Sequence, residues 1–146
     1  MDYRKLGDAY YIRMDRGDEV LSSILRICRE ENVACATYTG IGGCSSVEVA
    51  VFDPVEQAFR TERIEGMLEM VSITGSVFAG DGNEMHQHAH AQFSYVEQGE
   101  HRMIGGHVKA TTFLYTAEIV LRPVQGGTIT GRRDAETGTF LWNFDD

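Results

Sequence analysis

Met85-His86-Gln87-His88-Ala89-His90-Ala91-Gln92-Phe93-Ser94, completed by Ile104-Gly105-Gly106-His107, holds four of the five histidines in the chain. From Gln87 to Tyr95 the side chains alternate, and the β-formers Phe93 and Tyr95 follow, so the segment reads as a strand. Alternation puts His88, His90 and Gln92 on one face. Ala89, Ala91, Phe93 and Tyr95 share the other, which suits a packed core. Cα atoms two residues apart on one face are separated by roughly 7 Å, close enough for two imidazoles to converge on one ion at about 2.0–2.1 Å.

Working outward, Gly99 lies inside the run Val96–Ile104, so a turn there brings the chain back antiparallel beside the first strand. Gly105-Gly106 leaves backbone room just before His107, which can then approach the His88/His90 pair. Three histidines and one open position form a ligand-accepting metal site rather than a closed structural one. A solvated His-rich face or a remnant of an expression tag is the plainer alternative. A tag would sit at a terminus, and these residues do not. His86 shares the histidine face but lies nearer the preceding loop, and is expected beside the ligands or facing solvent. His101 falls in the hairpin turn and should be exposed.

Taken together with other motifs, these residues resemble the plants-and-prokaryotes conserved (PPC) domain family. The resemblance runs through Thr39-Gly40-Ile41-Gly42-Gly43, then Glu69-Met70-Val71-Ser72-Ile73-Thr74-Gly75-Ser76-Val77. It continues through His88 and His90, Gly105-Gly106-His107 and Ala117-Glu118-Ile119-Val120, from about Arg13 to Arg122. It implies a single α+β domain over residues 1–146, mostly antiparallel sheet with one main amphipathic helix packed on it, assembled as a homotrimer. It also implies zinc, or another divalent metal, at His88, His90 and His107. The fold is similar to that of acetolactate decarboxylase, a zinc enzyme using three histidines. Plant members carry an added AT-hook and bind DNA.

The 146 residues are one domain's worth, with 42% hydrophobic and 24% charged residues, an ordinary globular balance. No apolar run of membrane-spanning length occurs, and no apolar segment follows Met1-Asp2-Tyr3-Arg4-Lys5, so a cytoplasmic protein is expected. Cys28, Cys35 and Cys44 lack CxxC spacing and sit in apolar contexts, which points to reduced, buried thiols. The formal net charge of −9 works against direct DNA binding, and Arg132-Arg133 is flanked by Asp134 and Glu136 with no AT-hook core.

Along the chain, Ala9–Met14 reads as a strand and Asp15–Asp18 as a turn whose carboxylates meet the start of a helix. From Asp18 to about Glu31, Val20, Leu21, Ile24, Leu25 and Cys28 make an apolar helix stripe, stopped at Asn32. Ala34–Thr39 and Ser46–Phe52 read as strands joined by a glycine turn at residues 40–43; a phosphate loop would need a helix behind it. After a turn at Asp53-Pro54 comes an edge strand, Gln57–Ile64, then Gly66, then a long strand from Met67 to Phe78. That strand is expected to show Met67, Glu69, Val71 and Ile73 on one face. A loop at residues 79–83 leads to the histidine strand. Val108–Val124 is one long or two consecutive strands. A last hairpin, 128–133 with 139–144, is joined through 134–138, and Trp142 and Phe144 are expected to cover the sheet.

Glu69 and Glu118 each place a carboxylate in an otherwise apolar strand, where it must be solvated, paired or functional. A salt bridge to an arginine and a catalytic or supporting role near the metal are both open. The function expected is a metal-binding homotrimer that binds or transforms a small molecule. The alternative is a DNA-linked regulatory protein like the plant relatives. A cupin is the third reading, since Gly82-x5-His88-x-His90 fits the start of that pattern, but its downstream Glu and second PxG motif are missing.

Overall fold

A computed structural model of the chain describes residues 1–80, 84–136 and 138–144. The loop expected at 79–83, the link at 134–138 and the cupin-like Gly82 fall partly or wholly outside the described residues. The element order is β1 (Asp2–Leu6), β2 (Ala9–Met14), α1 (Val20–Glu30), β3 (Ala36–Asp53), β4 (Ala58–Ala79), β5 (Met85–Glu97), β6 (Glu100–Pro123), β7 (Thr130–Arg133) and β8 (Phe140–Asn143). All pairings are antiparallel except one parallel bridge, Ala79 to Thr130, so the expected antiparallel α+β architecture is present.

Three of these strands are far longer than ordinary, and their pairings close on themselves. β3 pairs with β4, β4 with β5, β5 with β6, and β6 with β3. This ring forms because β6 bonds β5 through its first part, up to His107, and β3 from His107 onwards. β2 and then β1 extend the sheet from the far end of β6. The hairpin between β5 and β6 turns at Gln98 and Gly99, both at positive φ, as a tight two-residue connection requires.

α1 begins at Glu19, whose side chain accepts from the amides of Leu21 and Ser22 at 3.0 and 2.8 Å. The carboxylates of the Asp15–Asp18 turn, expected at the helix start, are corrected: Asp18 accepts from the Asp15 amide within the turn, and Asp15 from the Met1 amino group and Arg13. Val20, Ser23, Ile24, Ile27 and Cys28 are buried against the sheet, and Asn32 ends the helix at φ 55°. The core beneath is built from Tyr38, Val47, Leu68, Met70, Ile73, Phe93, Phe113 and Ile119, all at most 1% exposed.

Two expectations about the long strands are corrected. Residues 40–43 are not a turn: β3 runs straight through them, with register shifts at Gly40/Gly42 and Cys44/Ser46. The glycines serve a close approach instead, since a Cβ on Gly42 would lie 2.4 Å from that of Ala117 and one on Gly40 2.6 Å from the Glu118 carbonyl. Gly66 likewise does not separate two strands, because β4 is continuous from Ala58 to Ala79. Its first part does pair on one side only, with β3, as an edge would.

The face expected for Met67, Glu69, Val71 and Ile73 is also corrected. The first three are exposed and Ile73 is buried. A register shift against β5 between Met70 and Ser72 reverses the phase of alternation there. Trp142 and Phe144 lie edge to face at 6.2 Å but remain 46% and 72% exposed, so they do not form the buried cover expected of them. β1 was not anticipated; its polar sequence pairs β2 at the rim of the sheet. Among the described residues, no helix is long and apolar enough to cross a membrane.

Candidate metal centre

The histidine strand alternates as expected. Ala89, Ala91 and Phe93 are buried in the core, while His88 and His90 point to the other face. His107 arrives beside them because His90 and His107 are direct cross-strand partners, the closest relation two strands allow. Gly105 and Gly106 make the approach feasible. A Cβ at Gly105 would sit 2.7 Å from the Ala91 carbonyl, and one at Gly106 2.6 Å from that of Ala50. The strands on both sides therefore crowd β6 just before the histidine.

One ring nitrogen from each of His88, His90 and His107 lies within 4.8 Å of the others. His88 Nε2 is 3.0 Å from His107 Nδ1, and the His90 and His107 ring centroids are 4.1 Å apart. A tetrahedral ion with nitrogens at about 2.05 Å needs them about 3.3 Å apart. The cluster brackets that spacing, so modest ring rotation fits it to an ion. Three imidazoles suit zinc, and also iron, nickel or copper; manganese accepts imidazole but prefers oxygen ligands.

Electrostatics favour the neutral, ligating form. Burial is the first cause lowering the pKa of His107, to about 4, followed by charge on His90, His88 and Lys109. His88 is lowered too, by burial and then by charge on His90 and Lys109. Phe59 packs its ring edge to face on His107 at 5.0 Å, and Lys109 Nζ sits 5.0 Å from the Phe59 ring centroid. Lys109 shares the face of His107, and the alternation of the strand could have revealed it. Phe59 comes from distant β4 and gave no such signal.

His86 is not in the cluster. Its ring stacks on Phe140 of β8 at 3.7 Å and 19°, and its Nε2 is 4.0 Å from Glu84. That is the neighbouring position expected of it. His101 is exposed in the hairpin, paired with Val96.

Glu69 and Glu118 are brought together, but not to the histidines. Both are exposed and line one groove of about 490 Å³ with Ile41, Met67 and Tyr115. Neither forms an ion pair with arginine among the described residues. Thr74 is the β4 partner of His90, and Glu69 lies five residues before it, roughly 16 Å along the strand. Glu118 is eleven residues past His107 on β6.

The profile of the Plants and Prokaryotes Conserved (PCC) domain matches residues 1–125. Among solved structures, a protein from Bacteroides thetaiotaomicron, provisionally named as DNA-binding, is 17% identical with a TM-score of 0.88, over 99% of this chain and 98% of that one. A plant- and prokaryote-conserved protein from Pyrococcus horikoshii is 29% identical with a TM-score of 0.80, over 97% and 94%. A metal-containing protein from Archaeoglobus fulgidus is 23% identical with a TM-score of 0.80, over 98% and 99%. The expected likeness to acetolactate decarboxylase appears at fold level: the Bacillus subtilis enzyme is 14% identical with a TM-score of 0.52, over 79% of this chain and 52% of that one. No curated protein matched. The chain belongs to the Plants and Prokaryotes Conserved (PCC) domain family.

Proposed function

We propose that this protein is a homotrimer that binds one divalent metal ion, zinc, per chain at His88, His90 and His107, and presents it to a small molecule. The convergence of three half-buried or exposed imidazole nitrogens within 4.8 Å carries the reading. An exposed histidine strand serving solubility alone would gain nothing from this crowding, in which burial first and the neighbouring rings second lower the pKa of His88 and His107. The chain supplies three nitrogens and leaves further positions to a ligand, the pattern of a reactive site. Bound there, zinc would act as a Lewis acid on a ligand oxygen. Elemental analysis of untagged protein should find about one zinc per chain and little in His107→Ala. Wild-type protein still empty after reconstitution with zinc would overturn the reading.

The catalytic part proposed for Glu69 and Glu118 has to work through assembly. Within one chain they stand too far along their strands, so a carboxylate would reach the histidines only from a neighbouring copy. Assembly itself is supported by the sheet face around them. Tyr11, Ile41, Val71 and Tyr115 are 47%, 55%, 47% and 61% exposed there, large apolar side chains grouped on one sheet face as at protein–protein contacts. The three free, buried cysteines fit a reducing compartment, and the proposal places the protein in the cytoplasm.

A DNA-linked regulatory role is the second reading, favoured by the provisional name of the Bacteroides relative. The net charge of −9 opposes it, and three copies would multiply the acidic field. Fluorescence anisotropy with a labelled random duplex at about 150 mM salt should show no binding in the range of about 10⁻⁴–10⁻⁶ M typical of nonspecific binders. Micromolar binding that weakens steeply with salt would put the DNA reading ahead.

A further inference from the structure

The histidine cluster borders two cavities of opposite character. On the side of His90 lies a space of about 630 Å³ whose other walls, including Ser72, Thr74, Gln92 and Met103, carry no charge. On the side of His88 and His107 lies one of about 370 Å³, walled by Phe59, Lys109, Arg133 and Phe140. Among the described residues, no carboxylate lines this second cavity. In a chain with a formal charge of −9, two cations facing one small space without an acid call for an explanation.

Among the described residues, neither Lys109 nor Arg133 forms an ion pair. Glu84 is the acid standing near, 4.0 Å from His86 Nε2, but its side chain is 79% exposed and outside the cavity wall. The positive wall is also firmly placed. Arg133 belongs to the β7–β8 hairpin, which three contacts tie down at the site. Ala79 pairs with Thr130, the Phe78 ring lies over Gly131 where a Cβ would be 2.4 Å away, and the His86 ring stacks on Phe140 at 3.7 Å. This accounts for His86: its ring docks the hairpin. The hairpin lies beyond the residues matched by the family profile, 1–125, although solved relatives align over nearly the whole chain.

We propose that this cavity is an oxyanion site, taking the carboxylate or phosphate group of a small organic acid between Lys109 and Arg133, beside the three histidines. The guanidinium offers paired donors in a fork and the ammonium a compact charge, both matched to an oxyanion. The Phe59 and Phe140 rings give the ligand apolar walls. At about 370 Å³ the space lies at the small end of ligand cavities, which favours a small acid over a nucleotide cofactor. The proposal rests on the metal reading for where the ligand's other end lies, and on the cavity alone for its charge.

The test is isothermal titration of zinc-reconstituted protein with malonate, with inorganic phosphate, and with uncharged malonamide, zinc content being measured on the same samples. Malonate or phosphate should bind and malonamide should not, and whichever anion binds more tightly tells carboxylate from phosphate ligands. Arg133→Gln and Lys109→Gln should each weaken binding about tenfold or more with zinc content unchanged, and Arg133→Lys should recover part of the loss. Equal binding by the Gln variants, equal binding of malonamide, or no anion binding by zinc-loaded protein overturns the proposal. If the protein holds no zinc, the metal reading fails separately. Anion binding that still depends on Lys109 and Arg133 would then support the cavity by itself.

Discussion

His88 Nε2 and His107 Nδ1 lie 3.0 Å apart, with their rings stacked at 19° and centroids 4.8 Å apart. At that distance one nitrogen must donate to the other or both must face a shared cation, because two imidazolium rings would repel. The contact joins residues nineteen positions apart through a hairpin turning on Gln98-Gly99. It therefore makes the state of the site depend on pH.

Metal-free protein should lose stability on acidification. His88 and His107 are held below the ordinary histidine value, His107 at about 4, chiefly by burial. The unfolded chain thus binds more protons than the folded one between about 4 and 6.5. The stability from these neutral rings is complete above about 6.5 and lost as pH falls towards 4. Thermal melts of chelator-treated protein should show the midpoint falling across that window, and His107→Gln should flatten the fall. A bound metal should be released only as pH falls to about 4 and below, where the folded His107 ring itself takes a proton, since ligation needs neutral imidazoles.

Gly42→Ala should destabilise the fold by about 1–3 kcal/mol, the usual cost of overpacking. Its new Cβ would meet the Ala117 Cβ at 2.4 Å, inside the β3–β6 pairing. Gly127→Ala is the matched control: nothing lies within 4 Å of its Cβ, so the change should stay within about 0.5 kcal/mol. Urea titrations at one fixed protein concentration decide it, because assembly would couple stability to concentration.

The thiols should be silent in the native state. Cys28, Cys35 and Cys44 are buried, and burial raises the pKa of Cys28 to about 11 and of Cys44 to about 12. At pH 8 a thiol-specific colorimetric reagent should titrate well under one group per chain in native protein and all three after unfolding. Rapid native reaction would mean that the core opens far more readily than its packing implies.

Light scattering coupled to size exclusion should give the mass of a trimer. Val71→Glu, at a side chain 47% exposed in the apolar patch, should shift it towards the monomer without unfolding the chain. A monomer at micromolar concentration in wild type would contradict the assembly.

Much of the site was legible because its information is local. The period-two alternation around His88 and His90 depends only on neighbouring residues, and Gly99 and Gly105-Gly106 announce the turn and the close approach. For α1 the helix itself was legible, but its buried face is centred one side over: Ser23 and Ile27 are buried with Val20, Ile24 and Cys28, while Leu21 and Leu25 are only partly covered. What misled was glycine in long strands. Gly40, Gly42 and Gly66 read as breaks, since a glycine's local preference is for turns; in the fold they sit within β3 and β4. The reason is across the sheet: the Ala117 and Glu118 backbone presses on Gly40 and Gly42.

The sequence by itself determined that His88 and His90 share a face, that an amphipathic helix covers residues 20–30, and that the chain is strongly acidic. Those properties follow from covalent order and strand or helix period. Only the tertiary structure decided that β3 to β6 close into a ring, that His107 pairs beside His90, that a register shift buries Ile73 beyond exposed Val71, and that Glu69 and Glu118 share a groove away from the histidine cluster. It alone set Arg133 and Phe140 beside His88 and His107. Such relations depend on the register between strands distant in the chain. That register is chosen by the packing of the whole sheet, and no local stretch of residues encodes it.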